Sequence, residues 1–164
     1  MKEKLSSWES GVDRSEKRVA PQNDAASEAR AAPRQQLRKL PLQTGVVYGP
    51  VRSRRLGLSL GINLLPANYK LCSFNCIYCQ YGWTKNVALT RAQRLKDLPT
   101  PKEVANAIEL ALQRLSHDRQ AVDSITICGN GEPTLYPNLA EVIVTARRLR
   151  DRYLPKARLA ILSN

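Results

Sequence analysis

Alternation of strand-like and helix-like segments sets the tightest limit on how this chain can fold. Leu58-Ser-Leu-Gly-Ile-Asn-Leu64 alternates apolar with small or polar residues, the pattern of a half-buried strand, and Pro66 ends it. A cysteine-bearing loop follows, through about Trp83. Thr100-Pro-Lys-Glu103 then reads as a helix start: Thr100 caps, Pro101 suits the first turn and Glu103 can reach back as a capping box. Val104, Ile108, Ala111, Leu112 and Leu115 recur on one helical face. Val122–Cys128 predicts a second strand, Asn138–Tyr153 a second helix with Leu139, Val142, Ile143, Ala146 and Leu149 as its stripe, and Arg158–Leu162 a third strand. Alternating β and α units of this length predict an α/β fold around a parallel sheet, with ligands at the carboxyl ends of the strands.

The first 43 residues do not share this pattern. They are rich in Ala, Ser, Arg, Glu and Gln, and Leu5, Trp8, Val12 and Val19 are too sparse for an apolar face. Such a segment buries too little to offset its ordering entropy, so 1–43 is expected to be a disordered basic extension, with a short helix conceivable around Glu28–Leu40 and residues 44–164 forming the domain. Of the net charge of +12, nine units fall after residue 40, an excess compatible with RNA and equally with a basic, solvated surface. No stretch approaches the ~20 apolar residues of a membrane span, and the start lacks a secretory apolar run, so a cytoplasmic location is expected. In reducing surroundings, four cysteines point to metal or redox chemistry over disulfides.

Residues 72–79 read CSFNCIYC, which places Cys72, Cys76 and Cys79 in a C-x3-C-x2-C spacing. Three thiolates on one short loop can ligate three irons of a cubane cluster, leaving the fourth open. A structural zinc site would need a fourth protein ligand, for which Cys128 and His117 are the distant candidates. Cys128 otherwise reads as a small strand residue and His117 as a solvated connector. Residues 129–135, GNGEPTL, follow the second strand with two glycines suited to a tight turn and a close approach of backbone.

These motifs, in this order, resemble the radical S-adenosylmethionine (SAM) superfamily. The resemblance implies a 4Fe-4S cluster on Cys72, Cys76 and Cys79, with SAM chelating the open iron and reductive cleavage giving a 5′-deoxyadenosyl radical. It also implies SAM contacts: Tyr78 with adenine, the Gly129-Asn130-Gly131-Glu132 segment with the ammonium, and Ser163 and Asn164 with the ribose. Over about residues 46–164, GPVRSRRLGLSLGINLLP, the cysteine loop and GNGEPTLYPNL resemble a subgroup of uncharacterised iron–sulfur oxidoreductases grouped with the wyosine-tRNA synthases. That membership implies an electron donor such as flavodoxin or ferredoxin and makes an RNA substrate conceivable; it singles out no catalytic residue.

The family fold is a partial (β/α) barrel of about six units, of which this sequence supplies three strands and two helices. A truncated sequence, a second chain completing the barrel, or a minimal module would each explain the difference. Two basic groups complete the reading. Arg52, Arg54 and Arg55 form a cationic group that reads equally as a contact for phosphate or carboxylate and as a solvated basic turn, whereas Arg147, Arg148, Arg150 and Arg152 read as the solvent face of the second helix.

Overall fold

The computed structural model describes residues 39–85 and 96–164, all within the compact unit Leu37–Asn164. The expected disorder of residues 1–38, and with it most of the helix considered at Glu28–Leu40, lies outside the described residues. Residues 40–43, expected to end the extension, are instead tied to the domain. The Leu40 amide donates to the Gln80 carbonyl (2.9 Å) and the Gln43 amide to Asn130 Oδ1 (2.8 Å).

The described elements run β1 (Val47–Ser53), β2 (Gly57–Ile62), α1 (Pro101–His117), β3 (Ser124–Ile127), a single 3-10 turn (Pro133–Leu135), α2 (Leu139–Tyr153) and β4 (Arg158–Ile161). They form a mixed α/β structure whose sheet has the order β1-β2-β3-β4. β2, β3 and β4 are parallel, as the alternation predicted. β1 is a correction: it pairs antiparallel with β2, so the sheet is mixed. The reversal takes only residues 54–56, because the Leu56 amide donates to Ser53 Oγ (3.2 Å) and Gly57 takes a φ of 70°. Neither feature marks itself as a hairpin in a run of three arginines and a serine.

Both helices pack on one face of the sheet. Leu60 and Ile62 of β2 and Ile125 and Ile127 of β3 form one cluster with Val104, Ile108, Leu112 and Leu115 of α1 and Val142, Ala146 and Leu149 of α2. Each helical stripe matches the spacing read from sequence. The capping box at α1 is closed in both directions: the Glu103 amide donates to Thr100 Oγ1 and the Thr100 amide to Glu103 Oε2 (2.7 Å). The opposite face of the sheet is small and polar at its centre, where Ser59 Oγ and Thr126 Oγ1 lie 2.7 Å apart, both buried.

Arg150 departs from the exposed stripe expected of α2. Its Nη1 donates to the Ala157 carbonyl (2.9 Å), fastening the turn into β4, while Arg147, Arg148 and Arg152 are exposed as expected. The loop after β2, the turn after β3 and residues 162–164 after β4 all stand at the carboxyl ends of adjacent parallel strands. Ile108 is fully buried between helix and sheet. Ile108→Ala is expected to lower unfolding free energy by about 2–5 kcal/mol in urea denaturation, with the transition still cooperative.

Candidate functional site

The loop that carries the cysteines is rooted on the turn that follows β3. Leu71 and Gly131 form a parallel bridge in which the Leu71 amide donates to the Asn130 carbonyl (2.9 Å) and the Glu132 amide to the Leu71 carbonyl (3.0 Å). Gly131, at φ 150°, lies so close that a Cβ there would collide with the Leu71 carbonyl. A Cβ on Gly129 would collide with the Asn63 side chain. The Gly-x-Gly spacing therefore follows from two close approaches, one at each glycine.

Asn130 between them faces inward and is fully buried. Its Nδ2 donates to the Gln43 and Pro66 carbonyls (both 2.8 Å) and its Oδ1 accepts from the Gln43 amide. Its own amide donates to Asn63 Oδ1 (3.0 Å), which also accepts from the Leu65 amide. The amide group of Asn130 is thus occupied by backbone partners and acts as a clasp joining three segments. Asn63 and Gln43 belong to the same clasp and were missed in the sequence; Asn63 is marked only as a polar residue at a strand end, and Gln43, which joins through its backbone, carries no signal.

Glu132 is also buried, and its carboxylate gathers the strand ends. Oε1 accepts from the Thr134 amide (3.0 Å), Thr134 Oγ1 (2.8 Å) and Ser163 Oγ (2.9 Å), while Oε2 accepts from the Asn164 amide (3.0 Å). Burial by itself pushes this carboxyl up, but the donors from Asn164, Thr134 and Ser163 together outweigh it and hold the pKa below the ordinary carboxylate value. Asn164 Oδ1 in turn lies 3.6 Å from Cys76 Sγ and 3.4 Å from the Tyr78 hydroxyl. Glu132, Ser163, Asn164, Cys76 and Tyr78 therefore form one continuous polar chain across three strand ends.

Within the loop, the Cys79 amide donates to the Cys76 carbonyl (3.0 Å), closing a turn, and the Phe74 amide points at Cys72 Sγ (3.4 Å). Cys72 is buried, Cys76 and Cys79 are half-buried, and all three are free thiols. Among the described residues no three ligating side chains already converge. The thiols share one loop and would need to close around a metal.

Each of the two distant ligand candidates has a hydrogen-bond partner outside the cysteine loop. Cys128 is half-buried just past β3, with its Sγ 2.9 Å from the Tyr48 hydroxyl. Burial raises its pKa and the Tyr48 hydrogen bond counters this only in part, so Cys128 stays a neutral thiol at pH 7. His117 ends α1, which runs against the strands, and so lies by the strand starts; it is exposed and pairs with Asp118 (3.0 Å). Arg52, Arg54 and Arg55 also lie by the strand starts, around the β1–β2 turn, and are exposed.

Comparison with known proteins gives relatives named UPF0026 and one named as a GTPase. The chain is similar to the UPF0026 protein of Helicobacter pylori, at 40% identity over 119 residues, covering 73% of this chain and 34% of that protein. Similarity to the UPF0026 protein of Methanocaldococcus jannaschii is 37% over 119 residues, covering 73% of this chain and 33% of the relative. A protein named GTPase Obg from Brachyspira hyodysenteriae is 39% identical over 113 residues, 69% of this chain and 15% of its own length. This chain contains no Gly-Lys pair and so no GxxxxGK[ST] phosphate loop, and the last similarity does not rest on that element. The chain spans about a third of the length of the UPF0026 relatives it matches. No family model matches it, and no solved structure does.

Two outcomes test this arrangement. Gly131→Ala is expected to break the Leu71 bridge and to open the cysteine loop to limited proteolysis while far-ultraviolet circular dichroism stays near that of the parent. Glu132, whose folded pKa lies below its unfolded value of about 4.3, contributes stability that is complete above that value and is lost as pH falls through the folded pKa. Glu132→Gln should therefore cost about 2 kcal/mol at pH 7 and flatten the acid limb of a stability–pH curve below about pH 5.

Proposed function

We propose that this chain is the cluster-binding part of a radical SAM protein, in which Cys72, Cys76 and Cys79 hold a 4Fe-4S cluster and SAM binds beside them at the strand ends. The observation that carries this reading is the donor set: three soft thiols on one anchored loop, with Cys128 and His117 engaged elsewhere. Three thiols suit a cluster with one open iron and fall one ligand short of a structural zinc site. The cluster and SAM, when bound, supply one-electron reduction of a sulfonium and thereby radical chemistry on a substrate.

The residues of the chain supply placement. The Leu71–Gly131 bridge sets the root of the loop, so Cys72 is the fixed ligand and Cys76 and Cys79 the adjustable ones. Exposed Tyr78 offers a ring beside the loop for adenine. Glu132, with Ser163 and Asn164 already on its oxygens, keeps a negative charge near the thiols that suits an ammonium group. The Asn130 side chain is spent on the clasp, so it holds the turn in place and is not free to contact SAM.

The parallel β2–β3–β4 sheet with both helices on one face is consistent with the opening units of a partial (β/α) barrel, and the greater length of the relatives leaves room for the rest. We assign to the complete protein an electron donor such as flavodoxin or ferredoxin.

Anaerobic reconstitution with iron and sulfide should give a brown protein with about four irons per chain, whose paramagnetic resonance signal after reduction changes on adding SAM. Cys76→Ala should lose most of the iron. Stoichiometric zinc bound through Cys128, or full iron retention in Cys76→Ala, overturns the reading.

A further inference from the structure

Beside the cysteine loop lies a cleft of about 390 Å³ that the cluster reading leaves unused. Its lining comes from the two segments flanking the loop, Asn68, Tyr69 and Lys70 before it and Tyr81, Trp83 and Lys85 after it, together with Leu42. Three aromatic rings and two ammonium groups thus line one concavity.

Trp83 is 65% exposed, although so large an apolar ring is ordinarily covered. Its exposure is not that of a loose loop. The next residue, Thr84, is buried, with its amide donating to Asn75 Oδ1 (2.6 Å) and its hydroxyl to the Phe74 carbonyl (2.9 Å). The Gly82 carbonyl just before it accepts from Lys70 Nζ (2.7 Å), and the Tyr81 hydroxyl accepts from Gln43 Nε2 (3.3 Å). The indole is therefore held out on a pinned backbone.

Lys70 carries the second, independent indication. It is only 7% exposed, and its ammonium makes one hydrogen bond, to that carbonyl, with no carboxylate partner among the described residues. A lysine so covered, with no carboxylate beside it among the described residues, leaves an anion in the cleft as a fitting partner. Lys85 adds an exposed positive charge at the same cleft. Two lysines disfavour a cationic guest, and the rings favour a flat one. A flat ring joined to an anion is the chemistry of a nucleotide.

We propose that this cleft binds a nucleobase with its attached phosphate, the base stacked on Trp83 and the phosphate held by Lys70 and Lys85. The guest can be a free nucleotide or one residue of a single-stranded RNA, and in both cases sequence tolerance is expected because every base offers a π face. The basic surplus of the chain favours approach of either.

Isothermal titration calorimetry of the full chain with AMP, adenosine, inorganic phosphate and a ten-residue oligouridylate tests the proposal, and needs no cluster. AMP should bind at one site, and at least about tenfold more tightly than adenosine or phosphate. Trp83→Ala should weaken binding about tenfold, Trp83→Phe should retain most of it, and Lys85→Gln should weaken it and reduce its salt dependence. Oligouridylate binding well beyond that of a mononucleotide identifies an RNA strand as the guest; equal affinity identifies a free nucleotide. Absence of heat with AMP and oligouridylate alike, binding of adenosine equal to AMP, or unchanged affinity in a folded Trp83→Ala overturns it. Since iron content is measured separately, failure here leaves the cluster reading standing, and loss of the cluster leaves this one standing.

Discussion

The close approach of Gly131 to the Leu71 carbonyl is the contact on which the site depends. It joins the loop that leaves β2 to the turn that leaves β3, and only a residue without a Cβ permits it. Because the sheet continues through β3 to β4, the same turn also presents Glu132 to Ser163 and Asn164. A glycine thus fixes the spacing, and a buried carboxylate fills the gap that the spacing creates.

Around that contact the polar groups divide into two kinds. Asn63 and Asn130 are saturated by backbone and hold segments together, a role suited to amides that can donate and accept at once. Glu132 is an acceptor only, and its donors come from groups that meet at the strand ends. The three thiols differ again: they stand on one loop that is closed by turns at Cys76–Cys79 and Cys79–Gly82.

The strand starts and the strand ends of the sheet differ in character. Arg52, Arg54, Arg55 and His117 lie by the starts, while the thiols, Glu132 and the exposed rings of Phe74, Tyr78 and Trp83 lie by the ends or on the loop that leaves them. This polarity follows from parallel strands, since every loop leaving a strand reaches the same end. It brings residues 72–85, 129–134 and 163–164 to one end of the sheet although they are far apart in sequence.

The sequence by itself determined the elements whose signal is local. Helical stripes, the Thr100–Glu103 capping box, the strand patterns and the cysteine spacing all depend on neighbours within a few residues and were legible, and the alternating order of those elements implied their parallel pairing. Tertiary structure decided what depends on partners distant in the chain. The antiparallel β1 needed a three-residue reversal with no turn signature, the commitment of Cys128 to Tyr48 needed the two strands to meet through β2, and the clasp role of Asn130 needed Gln43 and Pro66 to arrive from elsewhere. Local patterns record which backbone conformation a segment prefers; they carry no record of which buried polar group will satisfy which other, because that pairing exists only once the strands are side by side.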